Sequence, residues 1–306
     1  MLEKATIVVT VRDRFSTAAH CLSNILKHTP EPFDLLVIMG GAPPANEKEL
    51  RSKFSDKARW IFKPDFLNTA QARNLALKEV TTRLVLFVDT DVYVRPGWYE
   101  PLLECQSETG ADMVGPVVLD RQNKVHAAGN SFYVTQINGK DYASMEIKYA
   151  HQVVGSRTNI PREACDFLEV HCQLVVAESA RTLGVYDENL REFNEMDGGL
   201  TLKKAGRKVI VEPRSFVYLY YPERLDNVAD IKIYQWKWDM DAIRDGFRYF
   251  EKKWDYDLNY GRITESYFVH VNRRCNFFAR RWPSKTALRL DAWKHRLLHF
   301  VLQSVT

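Results

Sequence analysis

Asp89-Thr90-Asp91 follow directly on the apolar run Leu84 to Val88. Two carboxylates two residues apart, just past a buried strand, can present oxygens to a hard divalent cation. Mg²⁺ or Mn²⁺ takes such ligands and commonly shares them with phosphate oxygens. The ion would offset charge developing on a departing diphosphate. The plainer alternative is that Asp89 caps the next turn and Asp91 is solvated. A second acidic group is made by Glu188, Glu192, Glu195 and Asp197, the last two just before a helix that ends in Lys203-Lys204-Ala205-Gly206. Acidic residues at a helix start complement its dipole, but one of them can instead be a general base for an incoming hydroxyl. His171 and Cys172, near Glu169 and Asp166, are adjacent on a predicted strand and so point to opposite faces. Packing or an acceptor-site role is expected of them rather than metal or thiol catalysis. His126 reads as a turn residue, and Trp98 as core or acceptor-cleft wall.

The elements that must position these residues alternate. Thr6 to Val11, Phe33 to Met39, Arg59 to Phe62 and Arg83 to Val88 read as strands, with a helical segment ending near His28 and a helix over Asn68 to Val80. Gly40-Gly41 with Pro43-Pro44 reads as a turn. Strand–helix alternation implies an α/β fold with a parallel sheet and crossover helices. Ligands of such sheets bind beyond the C-terminal strand ends, which gathers Arg12-Asp13, Met39-Gly40 and Asp89-Thr90-Asp91 around one crevice. Farther on, strands are expected over Asp112 to Leu119, Val125 to Val134, Val170 to Ala177, Val209 to Val211 and Ser215 to Tyr220, and a helix over Glu195 to Ala205. Beyond Pro222 the pattern becomes helical and rich in Trp, Tyr and Arg, so a boundary is placed near 225, with residues 1–225 as one domain and 226–306 as a helical extension.

The net charge of +4 over 306 residues is uneven. From Arg262 onward nine basic residues face two acidic ones, leaving residues 1–261 slightly acidic at −3. No apolar run approaches the roughly 18–20 residues that span a bilayer, and no signal peptide is visible at the N-terminus. Five scattered cysteines without a CxxC pair argue for a reduced, cytoplasmic setting and against a disulfide framework or structural zinc. Leu290, Trp293, Leu297, Phe300 and Val301 fall on one helical face beside Arg289, Lys294 and Arg296. Such a helix suits either an anionic membrane surface or ordinary packing and dimerisation. No nucleic-acid partner is expected, because the basic residues come without a nucleic-acid-binding motif.

In order and spacing, Ile7 to Val11 with Arg12-Asp13-Arg14, Asp34 to Ile38, Ala72-Arg73-Asn74-Leu75-Ala76 and Leu86-Phe87-Val88-Asp89-Thr90-Asp91 resemble the family-2 glycosyltransferases of GT-A fold. Gly184-Val185-Tyr186-Asp187-Glu188 resembles that family's G-x-F/Y-D-E turn. Asn194-Glu195-Met196-Asp197 with Leu200 to Lys208 resembles its ED-x-D helix, and the resemblance runs over about residues 5–222. It implies a Rossmann-like, mostly parallel central sheet flanked by helices. It also implies inverting transfer of a sugar from a nucleotide-diphosphate sugar to an acceptor hydroxyl, assisted by Mn²⁺ or Mg²⁺. Asp89 and Asp91 would match the metal-binding DxD. Thr10, Arg12, Asp13, Arg73, Asp89 and Thr90 would bind the nucleotide sugar, with Arg73 facing the donor. Glu195 aligns with the second acidic residue of the ED pair and is the better candidate base, with Asp197 the alternative.

Three departures stand out. Met39 replaces the Asp that usually contacts uridine, so a GDP- or dTDP-sugar stays open beside a UDP-sugar. Asn194 replaces the first acidic residue of ED. Val217-Tyr218-Leu219-Tyr220-Tyr221 lacks the His that often helps hold the metal or diphosphate. A glycan, a lipid-linked molecule or a small hydroxylated molecule would be the acceptor. The rival function is a catalytically inactive glycosyltransferase-like binding or scaffold protein. A sugar-phosphate nucleotidylyltransferase ranks below both, since Thr10 to Phe15 lacks the Gly-rich loop of such enzymes.

Overall fold

Six consecutive buried residues make β1, Ala5–Thr10, which lies between two other apolar strands: β2, Phe33–Gly40, and β4, Leu84–Asp89. Burial on both faces is what a central parallel strand requires, and it explains the unbroken Val/Ile/Leu runs. A computed structural model of the chain describes all residues except 1–2, 12–13, 155–158, 221–227, 259–292 and 294–306. Between these strands come α1 (Ala18–His28), α2 (Pro44–Phe54), β3 (Arg59–Lys63) and α3 (Thr69–Glu79). After β4 follow β5 (Val92–Val94), α4 (Glu100–Thr109), β6 (Met113–Leu119), β7 (Val125–Ala127), β8 (Asn130–Ile137), β9 (Lys140–Ile147) and β10 (Glu163–Ala164). The order closes with β11 (Cys172–Val176), α5 (Ala177–Leu183), α6 (Asn194–Lys204), β12 (Val209–Leu219), α7 (Val228–Lys237) and α8 (Met240–Trp254).

Among the described residues the main sheet runs β10-β12-β6-β11-β4-β1-β2-β3, with β5 on β12 and β7 on β6. The expected parallel core is present in β3-β2-β1-β4 and again in β12-β6, but β11 runs antiparallel between β4 and β6. Apolar clusters cover both faces, one with α1 and α4, the other with α3 and α5. The described residues group into two compact units. The first comprises Met1–Tyr133 with Met145–Trp254, the second Val134–Ser144 with the segment from Asp255 onward. In the second, backbone hydrogen bonds join Asp257 to Asp141 and Ala143, and Lys140 pairs with Asp257.

Several expectations are refined. Pro43-Pro44 does not simply turn the chain. Pro44 starts α2, where a missing N–H and a preset φ suit the first helical position. The single strand expected over Val125 to Val134 breaks at Gly129 into β7 and β8, and the two expected over 209–220 form one strand with a register shift between Glu212 and Phe216. The helical stretch after Pro222 divides into α7 and α8, and both belong to the unit that holds the sheet. The basic amphipathic stretch from Leu290 lies outside the described residues except for Trp293, which is exposed. No helix among the described residues is long and apolar enough to cross a membrane.

Candidate active site

β4 delivers Asp89 to the C-terminal end of the sheet in register with Thr10 of β1. The Thr10 hydroxyl donates to Asp89 Oδ1 at 3.4 Å, and the Thr90 amide donates to the Thr10 carbonyl at 3.1 Å. Asp89, Thr90 and Asp91 are all buried. Opposite them, antiparallel β11 pairs Cys172 with Val88, which brings the preceding residue, His171, against Asp89. The Asp89 amide donates to the His171 carbonyl at 3.0 Å. The His171 Nδ1 lies 3.5 Å from Asp89 Oδ2 and 3.8 Å from Asp91 Oδ1. One donor atom from each of Asp89, Asp91 and His171 can be chosen so that all lie within 4.8 Å of one another. Two carboxylate oxygens and an imidazole nitrogen form a donor set that Mn²⁺ accepts well and Mg²⁺ accepts less readily, so the residues fit a divalent cation.

His171 is the residue that sequence reasoning set aside. Its neighbour Cys172 does point to the opposite face, into the core. The usable signal was pairing: an antiparallel strand beside β4 sets the residue before Cys172 against the DxD. His126, expected in a turn, lies on β7 with its ring centroid 5.6 Å from that of His171, and together with Glu169 these two make a second close group of donors. Trp98 is core, its indole N–H donating to Thr29.

Arg73 is a correction. Expected to face the donor, it is 0% exposed and turned into the protein. Its terminal nitrogens donate to Gln173 Oε1 and the Val170 carbonyl, and its guanidinium lies 4.9 Å and 5.0 Å from the ring centroids of Phe87 and Tyr186. A charge buried this deeply is held by fixed acceptors and aromatic faces. Its bond to the Val170 carbonyl ties it to the segment that ends at His171. Arg12 and Asp13 lie outside the described residues. The loop they belong to is held on its other side by Asp230 of α7, which accepts from the Phe15 amide at 2.6 Å, the Ser16 amide at 3.2 Å and the Ser16 hydroxyl.

The two candidate bases share the first turn of α6 but have different surroundings. Phe193, before that turn, is left-handed at φ 67 and packs on Phe247 of α8 with centroids 4.3 Å apart. A non-glycine residue in that region costs of order 1–3 kcal/mol and persists only where packing holds it. Gly198 and Gly199 then let α6 approach its neighbours: a Cβ on Gly199 would come 2.3 Å from the Asp166 carbonyl, and one on Gly198 2.9 Å from that of Val185. Glu195 is left half-buried. Asp197 is 0% exposed and consumed by α8, accepting from Trp254 Nε1 at 2.8 Å and from Lys253 Nζ at 2.9 Å. Burial pushes its carboxyl up more than Lys253 and Trp254 pull it down. Lys253 and the Tyr249 hydroxyl also bind Asp187 Oδ2, each at 2.8 Å. Asp197 is thus enclosed, with both oxygens hydrogen-bonded to α8.

A profile of glycosyl transferase family 2 matches residues 6–158, half of the chain and the half that carries the DxD. The chain belongs to glycosyl transferase family 2. This family-2 chain is 29% identical over 93 residues to the teichoic acid poly(glycerol phosphate) polymerase of Staphylococcus epidermidis, a match covering 29% of this chain and 13% of the polymerase. Its fold is similar to that of GalNAc-T7 crystallised with UDP, GalNAc and Mn²⁺, with TM-score 0.57, 12% identity, and 89% of this chain and 58% of that one covered. It is also similar to residues 1–349 of S. aureus TarS in complex with UDP-GlcNAc, with TM-score 0.51, 11% identity, and coverage of 88% and 79%. The family-2 chain thus spans a small part of the polymerase and just over half of GalNAc-T7.

Proposed function

We propose that this family-2 chain transfers a sugar, with inversion, from a nucleotide-diphosphate sugar to an acceptor hydroxyl. The observation that carries this is the buried group of Asp89, Asp91 and His171 at the end of β4. These three would hold Mn²⁺ or Mg²⁺, which when bound offsets the negative charge of the departing diphosphate. Thr10 fixes the Asp89 carboxylate by its hydrogen bond, and Arg73 fixes the backbone leading to His171. Thr90 is held by its own hydroxyl, which donates to the Arg14 carbonyl at 3.1 Å, and so keeps the DxD turn in place. Arg12 and Asp13 contact the nucleotide. Glu195 takes the proton of the incoming hydroxyl, since it is the carboxylate of the pair with solvent access.

A UDP-sugar is the first donor to test, supported by the UDP and UDP-GlcNAc of the two similar folds; GDP- and dTDP-sugars come next. Acceptors to test are glycans, lipid-linked molecules and small polyols, the last supported by the poly(glycerol phosphate) in the relative's name. The location proposed is the cytoplasm, with the basic tail from Arg262 against an anionic membrane surface. Release of nucleotide diphosphate from each sugar donor, with and without Mn²⁺, tests the function. Metal-dependent release that is lost in Asp91→Asn is expected; release from no donor in the presence of every acceptor class would leave a binding protein.

A further inference from the structure

A cavity of about 410 Å³ is walled by α1, β5, the turn after β6 and the end of β12. Its lining contains no acidic residue, while Arg95, Arg121, Tyr93, Tyr218, Tyr220 and Asn123 all contribute. The Arg95 guanidinium lies 4.0 Å from the Tyr218 ring centroid, and that of Arg121 4.0 Å from that of Tyr220. Tyr93 stacks on Tyr220 at 4.8 Å. Among the described residues neither guanidinium forms an ion pair, in a chain where the arginines of the nearby helices and strands generally do.

Tyr218 lies at the end of β12 and Tyr220 just past it, and both line the cavity. Both guanidinium forks are seated on these rings and line the same cavity, so both are available to one oxyanion held there. Arginine stacked on an aromatic face keeps its N–H edge for bidentate phosphate recognition. The volume exceeds what a lone phosphate needs and falls within the range of small-ligand pockets, about 300–1,000 Å³. The tyrosine faces and Asn123 then offer contacts to a polyhydroxylated carbon skeleton. The wall is joined to the DxD: Tyr93 is two residues past Asp91, and the Tyr220 amide donates to the Asp91 carbonyl at 2.8 Å.

We propose that this cavity is a binding subsite for the phosphate ester of a sugar or polyol, held by Arg95 and Arg121. Its use as the acceptor subsite rests on the transfer function proposed above; the binding itself does not. Calorimetric titration of the full chain with glucose 1-phosphate, inorganic phosphate and glucose tests it, with and without saturating UDP and Mn²⁺. The ester is expected to bind more tightly than phosphate, glucose not to bind, and ester binding to survive UDP. Arg95→Gln and Arg121→Gln should each weaken the ester tenfold or more, with Arg→Lys intermediate and both UDP binding and melting temperature unchanged. Displacement of the ester by UDP, equal binding of inorganic phosphate, or no response to either substitution would overturn the subsite. If UDP and Mn²⁺ fail to bind while the arginine-dependent ester binding persists, the transfer function fails and the subsite stands.

Discussion

Two acidic pairs lie in the same unit of the molecule, and their partners differ in kind. Asp187 and Asp197 are met by an ammonium, an indole N–H and a phenol, all supplied by α8. Asp89 and Asp91 are met by the imidazole of His171, with Thr10 on Asp89. The first group carries its own fixed cation and holds a helix. The second pairs carboxylates with an imidazole, a side chain able to ligate a metal. Each pair contains a fully buried carboxylate, Asp197 in one and Asp91 in the other, so the partners are what set them apart.

The comparison breaks most visibly at Asp91. Asp91→Asn should lower turnover by about a thousandfold or more while circular dichroism and melting stay near wild type, since the anionic charge that holds the cation is lost without loss of volume. Glu195→Gln should lower kcat by roughly 10²–10⁴-fold with the donor KM little changed. Asp197→Asn should leave kcat far closer to wild type and act mainly on stability; the opposite order of effects would return the base to Asp197. His171→Ala should weaken Mn²⁺ binding by at least the roughly 10–100-fold that loss of a group supporting a ligand costs, and turnover should recover in part at raised Mn²⁺.

On the structural side, Lys253→Met leaves the fully buried Asp197 facing a methyl group. A cost of about 2 kcal/mol is expected, below the full penalty for a buried pair because Lys253 reaches solvent, or a melting temperature lower by ~4–8 °C. The smallest effect is with pH. Burial raises the Asp187 carboxyl, but Lys253, the Asn189 amide and Tyr249 outweigh it and hold it below the ordinary 3.8. Its contribution is therefore complete above that value and is lost as the pH falls through the lower folded value. Burial lowers Lys253, but Asp187 and Asp197 outweigh it and raise it above 10.5, so its contribution is complete below that pH and is lost as the pH rises through the folded value. The stability difference between wild type and Asp187→Asn should accordingly stay constant from about pH 5 to 9, and a change within that window would contradict the Asp187–Lys253 pairing.

Much of this was legible in local sequence. The apolar runs of β1, β2 and β4 identify the parallel core because only a strand covered on both faces is apolar throughout. The DxD and the head of α6 were readable for the same local reason. What escaped depends on partners far along the chain. His171 reaches Asp89 only because β11 runs antiparallel to β4, and Asp197 is captured by residues 56 and 57 positions later. Arg73 looks like a ligand for the donor until the acceptors that hold it, Val170 and Gln173, are placed around it. α2 was hidden by a proline pair that reads equally well as a turn or as a helix start.

The most direct test is electron paramagnetic resonance titration of Mn²⁺ into the wild-type chain, Asp91→Asn and Asp197→Asn, each with UDP present. One tight site is expected in the wild type, abolished in Asp91→Asn and intact in Asp197→Asn. Binding that survives Asp91→Asn, or that is lost only in Asp197→Asn, would contradict the assignment of the cation to Asp89, Asp91 and His171.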